Sequence, residues 1–345
     1  MKITRLEVNR VMVPMKHGRP KSDSIEAPNF EGLYKRFTHI LRIHTDEGLV
    51  GIGSSHPSPR DSYSTPDHII GTDPMSYEPK RLEKMGVSDS WEIAMLDLIG
   101  KIIGRPIWWL FGGKQQDKIF VDFWMGVTTP EDSAALAQQA VEEGFRGLKM
   151  KVPEDDDTLT RIAAIAEVAP DLHLVLDCMH GFQSLDNMKT LVKELEPFNV
   201  LLEDPLPTEK WDWYQELQDC TDLMLCPHLQ NPQQVIDGIR ANAMDGFNIG
   251  PYGYTFMEMA AIGNAAGLPV WHASNVDVGI RDMFYLHGAT ATPNCTLGSD
   301  ICGNFTNEDD LLAEPIEIID GYAIPPDRPG LGIELDEDAL NRYAI

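Results

Sequence analysis

Short apolar runs alternate with amphipathic stretches over most of this chain. The runs are Ile119–Trp124, Gly147–Val152, Leu172–Asp177, Val200–Glu203, Leu223–Cys226, Gly246–Ile249 and Leu268–His272. Each precedes a stretch with helical spacing, near 130–144, 155–167, 185–195, 209–218, 232–242, 255–266 and 278–290. A strand–helix unit repeating every 25 residues or so, roughly, predicts a parallel sheet. Seven units are visible, and an eighth strand would fall near Asn294–Leu297. That many units favour closure into a (β/α)8-type barrel over an open sheet.

The two ends read differently. Met1-Lys2-Ile3-Thr4-Arg5-Leu6-Glu7-Val8 alternates like a strand, and Phe37–Ile43 and Leu49–Ser54 flank Thr45-Asp46-Glu47-Gly48, a hairpin turn with glycine late. Residues 1 to about 54 are therefore expected to form an antiparallel sheet. Ile93, Leu96, Ile99, Ile102 and Ile103 predict a helix, with Ser88 or Ser90 as its cap and Gly112-Gly113 as the stop of the whole stretch. Residues 16–35 and 55–75 are rich in Pro, Ser, Gly and Asp and are expected to be lid loops. Past 305, Ile316–Ile319, Tyr322–Ile324 and Ile333–Leu335 return to strand-like runs that could fold back on the N-terminal sheet. The expected fold is α/β: an α+β capping domain over 1–113, a barrel over 114–304 and a returning tail over 305–345.

Charge narrows the function. A formal net charge of −26, spread along 345 residues, argues against nucleic acid and fits a highly hydrated, salt-tolerant surface. An anionic substrate would then need a bound cation or a local lysine cluster. No apolar run is long enough for a membrane span, and the N-terminus lacks the apolar block of a signal peptide. Five cysteines with no C-x-x-C suit a reducing, cytoplasmic setting and structural burial.

In such a barrel the chemistry sits where strands end. The second run ends Gly147-Leu148-Lys149-Met150-Lys151-Val152, so Lys149 and Lys151 share a face. If that face is interior, each ammonium lowers the other's pKa and makes a usable base; otherwise this is a solvated strand end. The third run ends in Asp177 and the fourth in Glu203, a hard-oxygen pair that suits Mg²⁺ ahead of the alternative, salt bridges to the lysines. His228, 25 residues after Glu203, is the candidate third ligand, with Mn²⁺ or Zn²⁺ also compatible; it could instead bond substrate or backbone.

Taken together the chain resembles the enolase superfamily, in its mandelate racemase and muconate lactonizing branch. Thr38-His39-Ile40-Leu41-Arg42-Ile43-His44-Thr45-Asp46-Glu47-Gly48 resembles the capping-domain hairpin, and Asp97-Leu98-Ile99-Gly100-Lys101 with Gly112-Gly113 its linker helix. Gly147-Leu148-Lys149-Met150-Lys151 resembles the Lys-x-Lys motif, and Leu201-Leu202-Glu203-Asp204-Pro205 the fourth-strand ligand motif. The resemblance implies a metal, usually Mg²⁺, that holds a small-molecule carboxylate substrate while a base removes the alpha proton to give an enediolate. It implies Lys151 as base, Lys149 beside it, Asp177 and Glu203 as ligands, and a homo-oligomer, dimer or octamer.

The departures shape the expected reaction. Met179 replaces an Asn, Pro227 or His228 stands at the fifth-strand carboxylate, and Gly250 and Ala273 stand where an opposing base is usual. His272 is one step off, which on a strand turns it to the other face, although a small slip would restore it. Lys-against-Lys racemisation is disfavoured. The expected activity is dehydration or cycloisomerisation of a sugar-derived hydroxy acid with Lys151 as the single base. His272, His180 and His228 are spare acids, and Asn248, Asp277, Trp271 and Tyr252 are pocket candidates with His180. Lys16, His17, Arg19, Lys21, His56 and Arg60 put cationic groups on the loops. The alternatives are a racemase or epimerase, and a binding protein with a degenerate metal site.

Overall fold

The computed structural model describes residues 1–25, 37–59, 62–88, 90–179, 181–274, 276–301 and 303–345. The alternating N-terminal run becomes β1 (Ile3–Val11), antiparallel to β2 (Thr38–Thr45), which turns through Gly48 into antiparallel β3 (Val50–Ser54). Gly48 takes φ +84°, a conformation glycine adopts without steric cost. α1 (Ser90–Ile103) packs across β3, and α2 (Ile107–Leu110) leads on to the barrel. The approach of α1 depends on glycine: a Cβ on Gly51 would stand 2.2 Å from the Ala94 carbonyl oxygen.

After β4 (Ile119–Phe120) come five parallel strands paired in chain order: β5 (Phe123–Met125), β6 (Gly147–Lys151), β7 (His173–Asp177), β8 (Val200–Glu203) and β9 (Met224–Cys226). Pro227 has no N–H for a ladder, and pairing resumes with β10 (His228–Leu229), β11 (Phe247–Ile249) and β12 (Val270–His272). The Pro227 carbonyl still accepts from Asn248 N at 3.0 Å, so the two parts run on. The eighth position is filled without a regular strand. Val270 N donates to Asn294 O (2.9 Å), Leu297 N to Val270 O (3.3 Å), Ser299 N to Phe120 O (2.9 Å) and Asp122 N to Ser299 O (3.1 Å), which closes the ring.

Helices α3 (Pro130–Glu142), α4 (Thr158–Val168), α5 (Leu185–Leu195), α6 (Trp211–Gln218), α7 (Pro232–Ala241), α8 (Gly253–Ala265) and α9 (Gly279–Thr290) follow the strands in the predicted order. Several start signals are plain in the sequence. Thr129, Ser184 and Asn231 accept from the backbone N–H of Asp132, Asn187 and Gln234, and proline follows directly in α3 and α7.

The tail departs from expectation. After α10 (Gly303–Thr306), β13 (Ile318–Ile319) and β14 (Tyr322–Ala323) form a hairpin whose second strand pairs with β4, at the barrel's entry and not on the N-terminal sheet. The return to that sheet is made after α11 (Glu337–Tyr343), by Ala344 against Val11. Among the described residues no helix is long and apolar enough to cross a membrane, and Cys178, Cys226 and Cys295 are free and buried.

Candidate active site

Strand parity decides which side chains enter the ring. Val175, Leu201, Cys226 and Trp271 form an apolar layer with Met224 and Leu297. Two residues further along their strands stand Asp177 and Glu203. Trp271, expected in the pocket wall, is thus part of the floor under the charged layer.

Lys149 lies at the centre of that layer. Its ammonium is 2.7 Å from Glu203 Oε2, 2.8 Å from Asp300 Oδ2 and 3.2 Å from Asp177 Oδ2. Lys151 bonds Asp177 Oδ2 from the next inward position of β6. Asn248 Nδ2 donates to Glu203 Oε1 at 2.7 Å. The carboxyl of Asp122 is buried one step below, with no hydrogen-bond partner for either oxygen among the described residues.

The electrostatics reverse one expectation. The two lysines were expected to lower each other's pKa. Burial does oppose the charge on Lys149, but Asp300, Glu203 and Asp177 outweigh it and hold its pKa well above the ordinary lysine value. Burial and the charge of Asp177 push Glu203 up to about 8. Asp177 is also desolvated, yet Lys151 and Lys149 hold it below the usual carboxylate range. Burial, then Asp300, pushes Asp122 well up.

His228 stands near the expected third-ligand position, its Nδ1 4.0 Å from Glu203 Oε1. Burial and Lys149 lower its pKa, so the ring is neutral and able to act as a donor. Its Nε2 is buried without a partner among the described residues. The backbone N–H of His228 donates to Asp204 Oδ1 at 2.8 Å. In donor type and surplus negative charge this set fits a divalent cation. The expected trio of Asp177, Glu203 and His228 is not, however, gathered round one point. Among the described residues no three His, Cys, Asp or Glu side chains are so placed, and the Lys149 ammonium stands between the two carboxylates.

His272 is corrected. Its ring lies outside the barrel, stacked between Phe256 (4.4 Å) and Tyr285 (4.1 Å), with Nδ1 2.7 Å from Ala273 O. The parity of β12 fixed that face, and no loop slip intervenes. Burial lowers its pKa to about 3. Stability from this neutral ring is full above its unfolded value, near 6.5, and is lost as pH falls below it. Between pH 6.5 and 4 the wild type should lose about 1.4 kcal/mol per unit more than His272→Phe. Urea unfolding at several pH values measures this, and parallel slopes would refute it.

Two other candidates meet elsewhere on the mouth. Asp277, in the loop after β12, is fully buried. It lies 3.0 Å from His56 Nδ1, accepts from the Tyr285 hydroxyl at 3.0 Å, and is 3.8 Å from Arg281 Nε. Tyr252, after β11, has its ring 6.2 Å from that of His56 and under the Arg281 guanidinium. His180 lies outside the described residues, as do Arg60 and residues 26–36 of the expected lid loops. The described part of the first loop lies against the mouth: Gly126 N donates to Arg19 O and Val127 N to Pro20 O.

Supporting contacts fix the strand ends. Buried Arg161 donates to Lys151 O (2.9 Å) and Gly126 O (3.0 Å) and pairs with Asp156 at 2.8 Å. Met179, Asp204 and Val276 take φ of 53°, 48° and 57°, so three mouth loops carry backbone strain beside Asp177, Glu203 and Asp277. Asp300 and Asp122 were missed. Asp300 ends the eighth run as Asp177 ends the third, three residues past the predicted boundary. Asp122 is the lone charge inside the run Ile119–Trp124.

The family description "Enolase C-terminal domain-like" matches residues 132–339. An N-succinyl-L-Arg/Lys racemase of Bacillus cereus is 24% identical over 376 residues, covering 100% of this chain and 98% of that protein. A D-galactonate dehydratase of Cronobacter sakazakii is 25% identical, covering 87% and 89%. The solved structure of a muconate lactonizing enzyme from Pseudomonas fluorescens, complexed with muconolactone, superposes with a TM-score of 0.84 at 20% identity, over 100% of this chain and 99% of that one.

Proposed function

Because the chain belongs to the enolase superfamily, in its mandelate racemase and muconate lactonizing branch, we propose that it removes the proton next to the carboxylate of a small hydroxy acid, with Lys151 as base, and then expels a leaving group. The observation that carries this is the pair of lysines on one face of β6. The Lys149 side chain is 4% exposed and closed in by carboxylates, whereas that of Lys151 is 22% exposed and can meet a substrate. Mg²⁺ would be held by Asp177 and Glu203, with the neutral His228 ring as a further donor; Mn²⁺ or Zn²⁺ suits that ring better. When bound, the ion supplies Lewis-acid stabilisation of charge developing on the substrate carboxylate.

His56 is the general acid we favour. In an eight-membered ring the sixth strand lies across from the second, and His56 reaches the loops after the sixth and seventh from the capping side. Asp277 orients the imidazole. The same pair supports a second reading, racemisation, in which His56 returns a proton to the opposite face; relatives named as racemases and epimerases favour it.

The test is a panel of sugar-derived hydroxy acids, N-acyl amino acids and dipeptides in D₂O, followed by NMR. Elimination yields a keto acid, and His56→Asn should then keep alpha-proton exchange while losing product. Racemisation yields the antipode, and His56→Asn should block exchange from one enantiomer only. No exchange with any member counts against both.

A further inference from the structure

The charged layer holds more carboxyl groups than ammonium groups. Lys149 meets Asp177, Glu203 and Asp300 at once, and Asp122 lies below them without a hydrogen-bond partner among the described residues. A buried carboxyl in that condition is costly and calls for a reason.

Its surroundings suggest one. A Cβ on Gly147 would stand 1.9 Å from Asp122 Oδ1, and one on Gly298 would stand 2.1 Å from Oδ2. The carboxyl therefore fills a slot that two glycines leave open. Gly147 is two residues before Lys149 on the same face of β6, and Gly298 is two residues before Asp300. The slot is thus one step down the barrel, roughly 6–7 Å along the strands. A four-carbon lysine stem spans that distance, and Asp300 already holds the ammonium from the same side.

We propose that Lys149 is a tethered cation competing with a divalent ion for Asp177 and Glu203, and that Asp122 with Asp300 is the seat its ammonium takes when the ion binds. The proposal rests on the metal assignment made above. It gives the unpartnered carboxyl a use and explains why the three expected ligands are not gathered. A divalent ion attracts the same two carboxylates more strongly than one ammonium does. Lys149, once moved, still offsets part of the acid beneath. The Asp122 slot therefore sets how readily the site loads.

The experiment is titration of the full-length protein with Mn²⁺ or Mg²⁺ alone, read by calorimetry and by Mn²⁺ electron paramagnetic resonance. Asp177→Asn defines ions held by the acidic surface. Lys149→Met should bind about tenfold more tightly than wild type, a coupling of ordinary size. Lys149→Gln, a milder change should the first variant fold poorly, should also gain, and Lys149→Arg should not. Asp122→Asn should weaken binding about fivefold in the wild-type background and leave it unchanged in the Lys149→Met background, as a double-mutant cycle requires of coupled groups. Wild type and Lys149→Met binding alike would overturn the competition and leave the metal assignment standing. Equal losses from Asp122→Asn in both backgrounds would overturn the seat. No specific ion in either protein would overturn this proposal and the metal assignment together.

Discussion

Lys151→Ala should lower alpha-proton exchange by about 10²–10⁴-fold, the usual contribution of a positioned general base, on any acid the wild type exchanges. Lys149 cannot stand in for it. Lys149 is bonded to three acids and sealed from the mouth, while Lys151 is held, among the described residues, by Asp177 and is partly exposed. The backbone carbonyl of Lys151 is fixed by Arg161, so its side chain starts from a set place. The loss should fall on the rate of exchange, measured by NMR in D₂O, while the divalent ion still binds in the titration. Exchange within tenfold of wild type would mean that another group takes the proton. Among the described residues His56, partly exposed on the mouth, is the alternative, and His56→Asn would then carry the larger loss.

The order of elements was legible because seven strand–helix units are written with clear periodicity and caps. Asp177 and Glu203 were legible for a related reason: each ends an apolar run, and a parallel barrel puts strand ends on one face. Asp300 was hidden because its segment forms no regular strand, so nothing in the pattern marked where it stops. His272 was a question of parity, which one residue of uncertainty inverts. The direction of the Lys149 shift was misread because two lysines were weighed against each other without the carboxylates of three other segments. The tail hairpin was misplaced since a two-residue strand carries no signal of its partner.

Arg281→Met should cost about 3–5 kcal/mol of folding stability, the range for removing one partner of a buried ion pair. Arg281 is fully buried on α9. It donates to Ser54 O (2.6 Å) and Ser90 Oγ (3.1 Å) on the capping side and to the Tyr285 hydroxyl (2.8 Å) on its own helix. Its guanidinium lies 4.4 Å from the Tyr252 ring centroid, a cation–π contact in a desolvated setting. Methionine fills some of the volume and replaces none of these bonds. It also leaves Asp277 with less positive charge nearby, in a site with no exposure to water. Arg281→Lys should recover only part of the loss, because one ammonium cannot span β3, α1 and Tyr285 together. Urea unfolding followed by circular dichroism measures both variants, and a loss below about 1 kcal/mol for Arg281→Met would show that these contacts are replaceable. The same change should loosen His56, since its partner Asp277 is held within this network. His56→Asn touches none of the Arg281 bonds but takes the imidazole from buried Asp277, so it should cost less than Arg281→Met, about 1–3 kcal/mol. Comparing the two variants therefore separates the joint between cap and barrel from the acid that the joint positions.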